Sequence, residues 1–277
     1  CVADASSLYA NTDVLQTAMS LTRAEYFTLD DGEQGYEPMF PEQYILQKQL
    51  TKAALKGAVV ISFVVGDHVP PCDLNVTFEK VEVQKNYNYR QFSELSVPGL
   101  KLEDYARAAG FIQQGLRYSP GGDKLPTVPL QPSANVPQAS KLSVWKSGSK
   151  MNEAFMVASN HLVGKMMRDE GRAAIYRVHG NAGDMHGEIL PRDVAWFTRE
   201  PGFHDGLGIG PYCPSTSPLR RLQDFVMHYH LWLRDNNKTP TQNDLKIMDD
   251  AILSLNRRAI YDSVARTLPR RPNHLKV

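Results

Sequence analysis

The segment Thr216–Arg221 places two fixed cations, Arg220 and Arg221, behind a glycine-rich approach running from His204 through Gly206, Gly208 and Gly210 to Tyr212. Ser217 is a residue type favoured as a helix N-cap, and Pro218 suits the first helical position, where a missing N–H costs nothing. A helix from Pro218 to about Arg234 would set free backbone N–H groups and the positive end of its dipole beside two guanidiniums. That arrangement suits a phosphate. Arg220, Asp224 and His228 recur at i, i+4, i+8 as a polar stripe, while Leu219, Leu222, Val226 and Tyr229 form the apolar face that anchors it. An ordinary capped amphipathic helix leaves the same signature, so the segment alone supports both readings.

Other side chains could extend such a site. Glu153 lies in an otherwise apolar stretch, where a carboxylate needs a partner; Arg220 or Arg221 would serve, in a structural ion pair or in a binding site. Arg177 and His179 flank the end of a predicted strand, Ile175–Val178, and Gly180, Gly183 and Gly187 follow, as in a loop or a backbone turning near a ligand. Tyr26 with Phe27, and Tyr87 with Tyr89, could stack on bases or pack as strand-edge aromatics. His179, His186, His204, His228 and His230 match no helical or zinc spacing, so they are not expected to bind metal. The adjacent acid pairs Asp30–Asp31 and Asp249–Asp250 read as a loop and a helix surface rather than a two-metal cluster. No P-loop, G-x-S-x-G or dinucleotide-binding glycine pattern occurs in the required context.

The elements that must position these groups follow from periodicity. The sequence predicts a strand over 1–10, a helix from about Asp13 to Tyr26, and another from Pro41 through about Leu55. Ala58–Val65 reads as a buried strand, and Val76–Val83 as a half-exposed strand after a Pro-Pro turn. Leu102–Leu116 reads as an amphipathic helix and Met151–Met167 as a core helix, then Ala173–Val178 as a strand. Helices over Pro218–Arg234 and about Gln242–Arg266 close the chain. A Pro/Gly/Ser-rich connector spans about 119–138. No internal repeat is visible, and the alternation of strands and helices predicts an α+β domain.

Composition narrows the function classes. With 277 residues, 42% apolar and 22% charged, the chain can bury a sizeable core. A net charge of +1 gives no global basic field, so any phosphate-binding surface must be local. Three cysteines far apart, without zinc spacing, point to a reduced, cytoplasmic protein. No apolar run is long enough for a membrane span, and no secretory leader is visible. Cys1-Val2-Ala3-Asp4-Ala5-Ser6 reads as a strand interior, so the chain is expected to be a processed product or a piece of a longer polypeptide.

With these residues laid out, the chain resembles the catalytic (RNB) domain of the ribonuclease II family of 3′→5′ exoribonucleases. The family pattern T-S-P-[IL]-R-[KR]-[FY]-x-D-x3-H, preceded by a glycine-rich approach and a tyrosine, matches Tyr212, Thr216, Ser217, Pro218, Arg220, Arg221, Asp224 and His228. Asn152–Asn160 resembles the family's "EEfMilAN" helix, running on to Ile175–His179. Val2–Ser6 resembles the strand "IADVS", and Met39–Pro41 the "MLP" segment; Tyr26 falls where the family has a tyrosine near its stacking and cleavage site. The likeness is strong over 202–230, moderate over 150–179 and weak before 100. Departures are Leu222 where an aromatic is usual, Cys213-Pro214 in the tyrosine loop, no "LCSL" segment near 45–50, and a short stretch between His179 and Gly202. A family glutamate in the last helix falls near Asp250.

The resemblance implies one RNB-like α+β domain over 1–277, a mixed or antiparallel sheet packed with helices, without OB-type RNA-binding domains. It implies that Arg220, Arg221 and Tyr26 act at the cleavage site, and that Glu153, Arg177, Tyr212, Ser217 and His228 bind substrate. It also implies hydrolysis of single-stranded RNA with magnesium. The family's magnesium-holding acidic cluster lies just before the IADVS strand, so its ligands are expected outside this chain, on a separate N-terminal segment. The chain alone is then expected to be inactive. Two alternatives remain: an eroded RNB fold that binds RNA such as tRNA, as a binding protein or a transferase using an RNA-bound substrate, or a site for a small anionic ligand.

Overall fold

The computed structural model describes residues 12–28, 34–52, 55–67, 69–88, 102–117, 148–179 and 195–267. In chain order the elements are α1 (Thr12–Leu21), β1 (Glu25–Thr28), β2 (Gln34–Glu37), α2 (Glu42–Lys48), β3 (Leu55–Gly66), β4 (Val69–Glu82), α3 (Leu102–Arg117), α4 (Gly148–Asp169), β5 (Tyr176–Val178), β6 (Trp196–Thr198), α5 (Leu222–Asp235) and α6 (Gln242–Thr267). β1–β2, β3–β4 and β5–β6 pair antiparallel. The fold is α+β, as the sequence predicts; among the described residues the pairing is antiparallel throughout.

Helix α4 organises the interior because it is apolar on more than one side and must be covered on each. Its first half gives Met151, Ala154 and Ala158 to a core shared with Ala106, Ala109, Ile112 and Leu116 of α3 and with Ile209 and Tyr212. Its second half gives Val163 and Met167 to the larger core, with Tyr176 and Val178 of β5, Phe225, Met227 and Leu231 of α5, and Met248 and Leu255 of α6. Burying each such side chain contributes about 1.5–3 kcal/mol. The amide of Asn256 on α6 bonds both backbone groups of Phe197, donating to its carbonyl at 2.9 Å and accepting from its N–H at 2.8 Å. That side chain takes the place of a neighbouring strand on β6.

Several predicted boundaries shift for physical reasons. The first helix stops at Leu21 because Thr22 turns to a positive φ of 59° and its carbonyl accepts the N–H of Leu222 at 3.0 Å. The second covers only Glu42–Lys48, buries no residue along its length, and gives way to extended backbone at Gln49. The Ala58–Val65 run is not a buried strand: β3 is mostly half-exposed, with Val64 open to solvent, since a two-stranded pair cannot cover both its faces. Pro70 and Pro71 lie inside β4 rather than in a turn, next to the register shifts between Ser62 and Gly66. The strand predicted from Ala173 is regular only over Tyr176–Val178. The strand over 1–10, the Asp30–Asp31 loop and the connector over 119–138 lie outside the described residues.

Helix α3 lies so close to β4 that a Cβ added at Gly115 would sit 2.3 Å from the carbonyl oxygen of Val69. Backbone cannot yield as a side-chain tip can. Gly115→Ala is therefore expected to lower stability by about 1–3 kcal/mol, read by urea denaturation; an unchanged midpoint would contradict the packing described.

Candidate functional site

The cationic segment folds as a turn ahead of α5 rather than as its first turn. The Ser217 carbonyl accepts the N–H groups of Arg220 and Arg221 at 3.2 and 3.1 Å. Arg221, extended at φ −142° and ψ 123°, is the residue before the helix, and no side chain caps it. Ser217 is thus not the N-cap, and Pro218 is not the first helical residue. The acid that holds the turn is Asp224, three residues past Arg221 and fully buried. Its Oδ1 accepts the Ser217 N–H at 2.8 Å and Nη2 of Arg221 at 2.6 Å, and the same Nη2 donates to Thr216 Oγ1 at 3.2 Å. An acid in the first turn also suits the helix dipole. Burial pushes the Asp224 carboxyl up, and Arg221 and the Ser217 N–H pull it back down. The helix-start donor expected to be free for phosphate is in use, since Leu222 N–H bonds Thr22.

The approach to this turn is held by α4. Asn160 is wholly buried and serves the loop with both polar groups of its side chain and with its carbonyl. Its Nδ2 donates to Tyr212 Oη at 2.9 Å, its Oδ1 accepts from Ser215 N–H at 2.9 Å and Ser215 Oγ at 3.1 Å, and its carbonyl accepts the Cys213 N–H at 3.1 Å. His161 Nδ1 lies 3.0 Å from the Pro211 carbonyl, and His228 Nε2 lies 2.7 Å from that of Ser215; each must carry the proton of that bond. Gly164 permits the approach, because a Cβ there would meet Pro211 O at 3.1 Å and Cys213 N at 3.2 Å.

Around the turn, cations and neutral aromatics gather. Arg177 on β5 is exposed between buried Tyr176 and Val178, its N–H bonds the Tyr212 carbonyl at 2.9 Å, and its guanidinium lies 5.9 Å from the Phe197 ring centre. Lost hydration lowers its pKa, as does the charge of Arg221, while Tyr212 and Asp224 raise it. Arg177 and Arg221 therefore feel one another across the Tyr212 loop. His204 meets His179 edge-on at 4.3 Å between centroids and Tyr212 at 5.3 Å. Burial, then Arg177, then His179 drive the His204 pKa down to about 3, so this imidazole is neutral.

The sequence-predicted residues divide into two groups. Arg220 is exposed, with Nη2 3.1 Å from Ser217 Oγ, Arg221 is half-buried, and Arg177 is exposed on β5. Tyr212 and His228, expected at the substrate, are buried and hold the loop from within. Glu153 is half-buried on α4, seven residues and so two turns before Asn160, but the carboxylate paired with Arg221 is Asp224, which reaches back along the same helix. Tyr26 lies on β1 opposite Tyr36; the ring expected to stack lies outside the described side chains, as do Tyr89, His186 and the glycines at 180, 183 and 187. Asn160, Asp224 and His204 are not among the expected site residues; each is a buried polar side chain, and of the three only Asp224 already stands in the polar stripe of the sequence.

Magnesium would need clustered carboxylates. Among the described residues no group of three or more His, Cys, Asp and Glu side chains is placed to hold a metal ion, and Asp224 is committed to Arg221. These residues do not fit the ion. Among them, too, no helix is long and apolar enough to cross a membrane.

No sequence-family model matches this chain, and no curated protein matches it. Solved structures do. RNase R of Mycoplasma genitalium in complex with double-stranded RNA superposes with a TM-score of 0.69 at 16% identity, over 92% of this chain and 56% of that one. An active-site mutant of the Dss1 exoribonuclease from Candida glabrata gives 0.67 at 15%, over 91% and 39%. Yeast Ssd1, a pseudonuclease, gives 0.57 at 15%, over 92% and 39%. The fold is RNB-like. At this identity the likeness carries the RNB-like fold and nothing finer, and the chain spans about half or less of each of these proteins.

Two outcomes follow from the site's interior. Asn160→Leu leaves the buried Ser215 N–H without its acceptor and Tyr212 without its donor. It is expected to cost about 3 kcal/mol by urea denaturation, and a cost well under 1 kcal/mol would contradict the role given to Asn160. The second concerns pH. Burial lowers the pKa values of His204, His228 and His230 to about 3, 3 and 4. The unfolded chain takes up these protons near pH 6.5 and the folded chain does not. Their contribution to stability is thus complete above about pH 6.5 and drains as pH falls toward 4, by roughly 2 kcal/mol per histidine at pH 5. A thermal midpoint that stays flat between pH 7 and 5 would refute this.

Proposed function

We propose that this chain is an RNB-type RNA-binding domain that grips the phosphates of single-stranded RNA at Arg220, Arg221 and Arg177. The observation that carries the reading is the buried carboxylate of Asp224 fixing Arg221, with Arg220 exposed in the same turn before α5 and the charge of Arg177 on β5 coupled to those of Arg221 and Asp224. That carboxylate fixes the geometry of Arg221 without occupying the exposed edge. Guanidiniums held this way suit bidentate contact with phosphate oxygens, which gives affinity without base selectivity. RNase R of Mycoplasma genitalium, of similar fold, has been solved with single-stranded and with double-stranded RNA, which supports RNA as the ligand.

Hydrolysis belongs to the reading only as an expectation for a longer protein. The ion that would activate water must be held by clustered carboxylates, and the described residues supply none. Binding without cleavage is therefore assigned to these residues. The similarity to Ssd1, a pseudonuclease, supports the idea that such a fold can persist without cleavage.

The test is fluorescence anisotropy with a labelled single-stranded oligoribonucleotide, beside a gel assay of the same RNA with magnesium. The chain is expected to bind, to lose affinity with rising salt, and to leave the RNA at full length. Arg220→Ala should weaken binding about tenfold and lower the salt slope by about one, with the thermal midpoint unchanged because Arg220 is exposed. Unchanged affinity would remove the site, and stepwise release of mononucleotides would overturn binding without cleavage.

A further inference from the structure

Beyond the turn, the surface continues onto α6. Arg23 forms an antiparallel bridge with Arg221, and the Ala24 N–H donates to the Arg220 carbonyl at 3.2 Å, so the strand leading into β1 starts at the phosphate turn. Arg23 Nη2 then lies 2.8 Å from Asp262 Oδ2 on α6. Asp262 also takes Nε of Arg258 at 3.1 Å, and Arg258 Nη2 bonds Glu25. Four side chains thus tie the turn to the last helix. The Arg258 guanidinium, pinned from two sides, lies 5.5 Å from the centre of the Tyr261 ring. Tyr261 itself is 65% exposed, more than any other large hydrophobic side chain among the described residues. Arg257, also exposed, precedes it by one turn on the same stripe of α6.

Tyr261 is thus an exposed aromatic beside a fixed guanidinium. The cation sits over the ring and, with the side chain largely exposed, leaves ring surface open to solvent. A nucleobase meets that open face with its own π-face, whatever its identity. The surrounding charge favours the same ligand: Arg23, Arg257 and Arg258 outnumber Glu25 and Asp262 by three to two, and Arg220 stands at the adjoining end. The acids on the same helix are remote: Asp249 pairs with Arg199 and Asp250 lies eleven residues before Tyr261.

We infer that Tyr261, backed by Arg258, is a base-stacking platform for a nucleotide of the RNA strand whose phosphates lie at Arg220 and Arg221. This rests on the RNA-binding reading above and adds the direction in which the strand leaves the grip: past Arg23, along α6. No base selectivity follows from it, since stacking accepts any base.

Anisotropy titrations with oligouridylate, and with a series in which one nucleotide at a time is abasic, test the platform on the whole chain. Tyr261→Ala is expected to bind about tenfold more weakly, and Tyr261→Phe to match the parent. In the parent protein one abasic position should cost affinity that Tyr261→Ala no longer loses. Equal affinities for Tyr261→Ala and the parent, with Arg220→Ala still weakened, would overturn the platform and leave the phosphate grip standing. No RNA binding by the parent would overturn both.

Discussion

A carboxylate sealed from water must be met by fixed donors, and Asp224 imposes that demand at the start of α5. Two donors answer it at Oδ1, the Ser217 N–H and the Arg221 guanidinium, and both bonds can form only if the chain turns sharply between them. The turn in turn aims Arg220 outward, and its backbone is what residues 22–24 pair with. One buried charge thus fixes the cationic edge, the N-terminal boundary of the helix and the entry of β1. Removing the acid would leave Arg221 without its counter-charge and the turn without its closing bond.

The same demand explains why the wall behind the turn is neutral. His204 and His228 are buried close to arginines or inside the helix packing, and their depressed pKa values keep them uncharged at neutral pH. Were His204 charged, it would repel Arg177. Positive charge is carried instead by guanidiniums, which do not titrate in the physiological range. Asn160 completes this neutral wall, giving the loop directional bonds without adding charge.

Much of this was legible in the sequence, and the unread part has a common cause. Long helices announce themselves: α3, α4 and α6 lie within two or three residues of their predicted bounds, because repeated burial on one face gives a period that few other arrangements mimic. The start of α5 was misread because Ser217-Pro218 has the local chemistry of a cap, while the actual boundary is set by Asp224 and by pairing with Thr22, a contact 200 residues away in the chain. β3 was misread as buried because a β-branched run has the same composition whether a sheet has two strands or five. Arg220, Arg221 and Arg177 were legible as cations with a shared ligand chemistry. Their division of labour with Tyr212 and His228 was not, since burial separates a side chain that touches a ligand from one that holds the loop.

That separation bears on what this architecture can do. RNase R and Ssd1, the first a ribonuclease by name and the second a pseudonuclease, both superpose on the chain over 92% of its length, so the backbone arrangement is compatible with either outcome. Holding a guanidinium in place needs only an internal acid, as Asp224 holds Arg221. Cleavage needs a second, separate set of acids exposed to water and metal, with the opposite electrostatic environment. An acid cannot serve both: the pairing that makes Asp224 a structural anchor removes it from metal chemistry. Holding an arginine and holding a metal ion are thus distinct demands on different carboxylates, and Asp224 meets the first.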